Sequence, residues 1–138
     1  MQSSQEYQEQ ALKFRYLKEQ RDMFQNQLEI INASLGNVLN TKKTLENLKQ
    51  GVNEGDEILV PIGGLVYIKA DIKETKKVLL GVTQDIIIEK NLDDALEFLA
   101  NLIEQHNKQL QFLAKQLQNL EINLQEVSQL LQRNYLQS

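Results

Sequence analysis

The sequence predicts an α+β chain. Its core is a long antiparallel two-helix coiled coil with two small β-hairpins inserted between the helices, and the strands pair between subunits into a shared sheet or β-barrel. Three observations predict this. Apolar residues recur at alternating steps of four and three in both outer parts of the chain. The two periodic parts are equal in length. Between them the stretch EILVPIGGLVYIKADI (57–72) turns β-branched, alternating and glycine-containing.

The first helix is expected over 6–50. From Tyr7 the rule selects Tyr7, Gln10, Phe14, Leu17, Arg21, Phe24, Leu28, Ile31, Leu35, Val38, Lys42 and Leu45. All but Gln10, Arg21 and Lys42 are apolar, and the register never slips, which is a sustained heptad seam. The stems of the exceptions reach out of a two-helix seam while their polar heads stay wet. Gly36 lies inside this helix at a cost of ~1 kcal/mol relative to alanine.

The last helix is expected over 92–136. The same rule gives Leu92, Leu96, Leu99, Ile103, His106, Leu110, Leu113, Leu117, Leu120, Leu124, Val127, Leu131 and Asn134. Asn91 is placed to cap its start, with Asp93 and Asp94 near the positive helix end. About 45 residues at 1.5 Å each make both helices roughly 65–70 Å long. Equal helices joined by a folded insert pack side by side and antiparallel, with the chain termini together at one tip. The chain has 18 Gln, so charged flanking pairs are few.

The insert spans 51–91. GVNEGDE (51–57) reads as a turn that ends the first helix. Ile58, Val60 and Ile62 alternate, then Val66, Ile68, Ala70 and Ile72, with Gly63–Gly64 as a tight connection. After the polar KETK (73–76) come Val78, Leu80 and Val82, then Ile86 to Ile88. Two hairpins this small cannot bury both faces, and strand edges invite pairing with other chains. The residues Ile58, Val60, Ile62, Val66, Ile68, Ile72, Val78, Leu80, Val82, Ile86 and Ile88 are therefore the expected oligomerisation strands.

Composition excludes several classes. The 138 residues carry a net charge of −4, no cysteine and one histidine. A nucleic-acid binder usually shows a basic face, and disulfides and thiolate metal sites need cysteine. The polar N-terminal stretch MQSSQEYQEQ has no apolar signal core, and no apolar run approaches a membrane span. A cytoplasmic location is expected. Gly63–Gly64 matches no phosphate-loop pattern. Glu54, Asp56 and Glu57 read as a solvated acidic turn, and Asp93–Asp94 as a helix start. His106, on the seam, reads as a register-fixing polar residue. No catalytic residue, metal or cofactor is expected.

VPIGGLVYIKADIKETKKVLLGV (60–82), followed by IIIEKNLDDALEFL (86–99), resembles the alpha class of prefoldin. The resemblance covers essentially the whole chain as one prefoldin-like domain, and two hairpins, rather than one, are the mark of that class. It departs at Thr83-Gln84-Asp85 and Ile86-Ile87, where the class commonly has a glycine-containing turn and an aromatic residue. The resemblance implies an oligomer of two alpha with four beta-type subunits and a double β-barrel body with six coiled coils. It also implies ATP-independent holding of unfolded clients by the tips and their transfer to a group II chaperonin. A holdase needs apolar groups that water reaches, and the residues near the termini that fit are Tyr7, Ala11, Leu12, Phe14, Tyr16, Val127, Leu130, Leu131, Tyr135 and Leu136. Met23, Ile30, Phe112 and Ile122 lie off the seam farther in. The alternative on the same fold is a structural protein in which the strands polymerise and the coiled coils act as spacers.

Overall fold

The computed structural model describes residues 2–137. Its elements follow in the order α1 (Gln2–Gly51), β1 (Glu57–Pro61), β2 (Tyr67–Asp71), β3 (Lys77–Gly81), β4 (Ile87–Asn91) and α2 (Leu92–Gln137). The chain divides into two compact units. The first pairs residues 1–34 with 105–138, and the second comprises 35–104.

In the first unit the helices run antiparallel along the expected seam. Leu17, Leu124 and Val127 are buried, with Phe14, Leu120 and Leu131 packed on them. Arg21 Nη1 lies 3.7 Å from Glu121 Oε1, and Ser34 Oγ lies 2.9 Å from His106 Nε2. Thirteen residues forward on α1, from Arg21 to Ser34, are thus matched by fifteen back on α2, from Glu121 to His106. Arg21 also reaches Asp22, so its stem covers the seam while its head stays at the surface, as expected of a long side chain.

In the second unit the buried cluster is Leu45, Leu80, Leu92, Ala95 and Leu99, with Val38, Val78, Ile88, Leu96 and Phe98 packed against it. Ala95 is fully buried. Its small side chain lets the second hairpin lie close on the helices. Lys49 Nζ pairs with Asp93 Oδ1 at 2.8 Å, and Lys90 Nζ lies 5.6 Å from the centre of the Phe98 ring.

The strands form two separate antiparallel pairs, β1–β2 and β3–β4. Three expectations are corrected here. Ile62, Val66, Ile72, Val82 and Ile86 lie outside the strands, though the alternation continues through them. Ile62 N–H donates to Val66 C=O (3.0 Å) and Val82 N–H to Ile86 C=O (3.0 Å), closing each hairpin, and Ile72 N–H donates to Asp56 C=O (2.9 Å). The Gly63–Gly64 connection is also wider than a two-residue turn, running over 62–66. Neither glycine has the positive φ that a tight hairpin turn requires; Gly55 does, at 88°. Finally, the helices extend past the expected limits of 6–50 and 92–136, to 2–51 and 92–137.

The turns are held by their own side chains. Asn53 N–H donates to Asp56 Oδ2 at 2.8 Å, which explains the acidic residue in that turn. Thr83 Oγ1 accepts from Asp85 N–H and Ile86 N–H at 3.3 and 3.1 Å. Thr83 therefore builds by hydrogen bonding the turn at which the sequence departs from the resembled class. Asn91 Oδ1 accepts from Asp94 N–H at 2.8 Å, so the expected N-cap is formed. Asn91→Ala is expected to cost about 1 kcal/mol of stability, read as a lower midpoint in urea unfolding with an unchanged slope.

Candidate functional site: an apolar helix end and a two-faced hairpin

Two surfaces carry the site residues expected from the sequence, one in each unit. In the first unit, Tyr7, Leu12, Tyr16, Leu130, Tyr135 and Leu136 are exposed, Leu136 to 83%. Tyr7 on α1 and Ser128, Leu131, Gln132, Tyr135 and Leu136 on α2 line one open groove. All but Tyr7 lie off the seam and so face away from the partner helix, and near Tyr7 the seam itself turns polar. Gln10 occupies one seam position with its Oε1 buried and without a hydrogen-bond partner, a situation that costs ~1–3 kcal/mol. Asn134 occupies another, half-buried.

The other tip candidates are placed differently. Val127 is 3% exposed, and Phe14 and Leu131 pack beside it in the seam core. Ala11 is half-buried. Farther along, Met23, Ile30, Phe112 and Ile122 are exposed. Phe112 lines a second groove with Gln27, Ile31, Lys108, Gln109 and Leu113, and Ile122 a third with Phe14, Leu124 and neighbouring polar residues of α2.

In the second unit, the β3–β4 hairpin turns Val78, Leu80 and Ile88 onto the helices, and only Leu80 is buried. The β1–β2 hairpin contributes nothing to that core. One of its faces pairs Ile58 with Ala70 and Val60 with Ile68, all exposed or half-buried. Ile62, Val66, Val82 and Ile86 are exposed and Ile72 is half-buried. An apolar face of this size without a covering layer calls for another chain.

Residues 17–137 match the family model for prefoldin subunits. The chain belongs to the prefoldin family, in its alpha class. It is 28% identical over 127 residues to the prefoldin subunit alpha of Pyrococcus horikoshii, covering 92% of this chain and 86% of that protein. It is 30% identical over 126 residues to that of Methanoregula boonei, covering 89% and 81%. Among solved structures, a filamentous PFD from Methanocaldococcus jannaschii has the same fold. The TM-score is 0.71 at 21% identity, over 82% of this chain and 93% of that one.

Prefoldin is a chaperone family, and its subunits assemble with one another into oligomers. Within that frame the two surfaces are of different kinds. The helix-end surface is a set of separate apolar side chains around a groove, and the hairpin surface is a continuous sheet face. Among the described residues no cluster of His, Asp and Glu is arranged to hold a metal ion, and no helix is long and apolar enough to cross a membrane.

One contact and one surface escaped sequence reasoning. Ser34, the partner of His106, is one of many small polar residues off the seam, and only the antiparallel alignment brings the two together. The exposed Leu59, Tyr67, Leu79 and Ile87 sit on the strand faces opposite those expected to assemble. The available signal was that the strands are apolar at both parities.

Proposed function

We propose that this chain is the alpha-type subunit of an ATP-independent holdase. Its hairpins join prefoldin beta-type subunits, two alpha with four beta, in a shared β-barrel body. The helix ends grip unfolded protein and pass it to a group II chaperonin in the cytoplasm. The observation that carries this reading is the exposed apolar set Tyr7, Leu12, Tyr16, Leu130, Tyr135 and Leu136 around an open groove. Such side chains bind many sequences weakly, and several arms together turn weak contacts into useful avidity. No nucleotide chemistry enters, because gripping and release need only exchange of weak apolar contacts. The relatives named prefoldin subunit alpha support the reading.

A structural role is the second reading, favoured by the fold neighbour described as a filamentous PFD. The two are separated by light scattering of a chemically unfolded protein diluted into this chain together with a beta-type subunit. The full chain is expected to suppress aggregation, and a version lacking 1–12 and 130–138 to fail while still assembling. Equal protection by both versions would remove the tips from the mechanism. Protection by neither would favour the structural role.

A further inference from the structure

The first unit carries a further apolar surface along one flank of its helix pair. Tyr16, Met23 and Ile30 recur at every seventh residue of α1, so they stand in one row, about 10 Å apart. All three are exposed, Ile30 to 68%. Gln27 sits one turn from both Met23 and Ile30, and it lines the groove that also holds Ile31, Phe112 and Leu113. The row on α1 and Phe112 on α2, itself 59% exposed, therefore share a flank.

Charge is distributed unevenly around the pair. Between Gln20 and Ser34 on α1 the charged residues are Arg21, Asp22 and Glu29. Arg21 turns to Asp22 and Glu121. Asp22 and Glu29 precede Met23 and Ile30 by one residue, a turn of about 100° that carries them to the other flank. Between Gln105 and Asn119 on α2 the charged residues are Lys108 and Lys115, both exposed. Lys108 lines the groove, and Lys115 repeats its place two turns on, with Phe112 between them. The positions beside the seam on this flank hold uncharged amides, Gln20, Gln27, Gln109 and Gln116. The flank is thus apolar and basic.

We infer that this flank takes an acidic amphipathic helix of another protein, laid along the pair as a third helix. That the occupant is a helix follows from the backbone. The flank has no strand edge, so an extended segment pressed on it would leave backbone N–H and C=O groups without partners. A helix satisfies its own, and its apolar side chains at i, i+3, i+4 and i+7 match the repeat of Tyr16, Met23 and Ile30. That it is acidic follows from the lysines. Asp or Glu beside its apolar stripe meets Lys108 and Lys115, whereas Lys or Arg there faces like charge. The row spans about 21 Å, so the contact is small and weak. Only Tyr16 is shared with the helix-end set, and the inference does not rest on gripping by the helix ends.

The test is fluorescence anisotropy of three labelled peptides titrated with the full chain. The first is a helix whose apolar stripe is flanked by Glu. The second carries Lys in place of Glu, and the third is the first with central prolines that break the helix. The Glu peptide is expected to bind about tenfold tighter, or more, than either of the others. Lys108→Glu together with Lys115→Glu is expected to reverse the preference between Glu and Lys peptides, and Phe112→Ser to weaken the Glu peptide about tenfold. Serine at Leu12, Tyr135 and Leu136 is expected to leave its binding unchanged. Helical circular dichroism verifies the fold of every variant, and the charge reversal touches only exposed side chains. A chain that binds none of the peptides, equal binding of the Glu and Lys peptides, no reversal in the charge variant, or loss in the helix-end variant would each overturn the inference. Equal binding of the proline peptide would overturn it in favour of an extended segment. Glu-peptide binding that weakens as the chain is concentrated would overturn it in favour of a second copy. Client protection reads the helix ends separately, so failure there leaves this result standing.

Discussion

Replacing Leu80 with serine is expected to release the second hairpin from the helices and abolish assembly, while leaving most helical content in place. Among the described residues Leu80 is the only buried one in a strand, and it packs among Leu45, Leu92, Ala95 and Leu99. Losing a buried leucine side chain costs ~2–5 kcal/mol, and serine adds a hydroxyl with no partner there. A free two-stranded hairpin is marginal in water, so there is little local stability to absorb the loss. Amide exchange is the direct readout. Protection over 77–91 should fall by a factor on the order of 30 or more, the equivalent of ~2 kcal/mol. Protection in the first unit should stay as in the wild type. Unchanged exchange over 77–91 would mean that hydrogen bonds such as Leu92 N–H to Lys76 C=O, rather than Leu80, hold the hairpin.

The second large effect is expected at the helix ends. Exposure divides the tip candidates into two groups that should behave oppositely. Serine at Leu12, Tyr16, Leu130, Tyr135 and Leu136 together removes apolar surface that the chain itself does not bury. Unfolding midpoints should stay within about 0.5 kcal/mol per site, as for surface substitutions. The amount of assembled chaperone needed to hold an unfolded client should rise about tenfold or more, because each lost contact weakens every arm. Alanine at Val127 or Leu131 acts on packed side chains and should instead lower the melting temperature by removing core contacts. If the serine variant protects clients as well as wild type does, the gripping surface lies elsewhere, with Phe112 and its groove the next place to look.

The coiled coil was fully legible in the sequence because its periodicity has one physical cause. A residue that repeats every three and four positions returns to the same side of a helix, and the partner helix covers that side. Every seam position selected from the sequence is buried or half-buried except Tyr7, which lies where the partner helix is running out. The start of α2 was equally plain, since an asparagine followed by two aspartates suits the exposed N–H groups there. The hairpins were legible as alternation but not in their limits. Side-chain parity persists through residues that no longer pair, so Ile62, Val66, Val82 and Ile86 read as strand while they close turns. The turn at Thr83 escaped because a hydroxyl can replace a glycine's freedom with hydrogen bonds. The tip was legible as composition only. Which of its side chains face water depends on the rotation of each residue about its helix, and that separates Val127 from Leu130.

The opposite and nearly matched stepping of the two helices in the first unit also bears on how such a chain can change. Tyr7 shares a groove with Tyr135, Arg21 meets Glu121 and Ser34 meets His106. A deletion in one helix alone would slide every later residue past its partner and rotate the apolar stripe out of the seam. Only paired edits, a heptad removed at matching places in both halves of the coding sequence, preserve the zipper. Arm length in this chain is therefore inherited as a linked trait, adjustable in increments of about 10 Å and only by two concerted mutations.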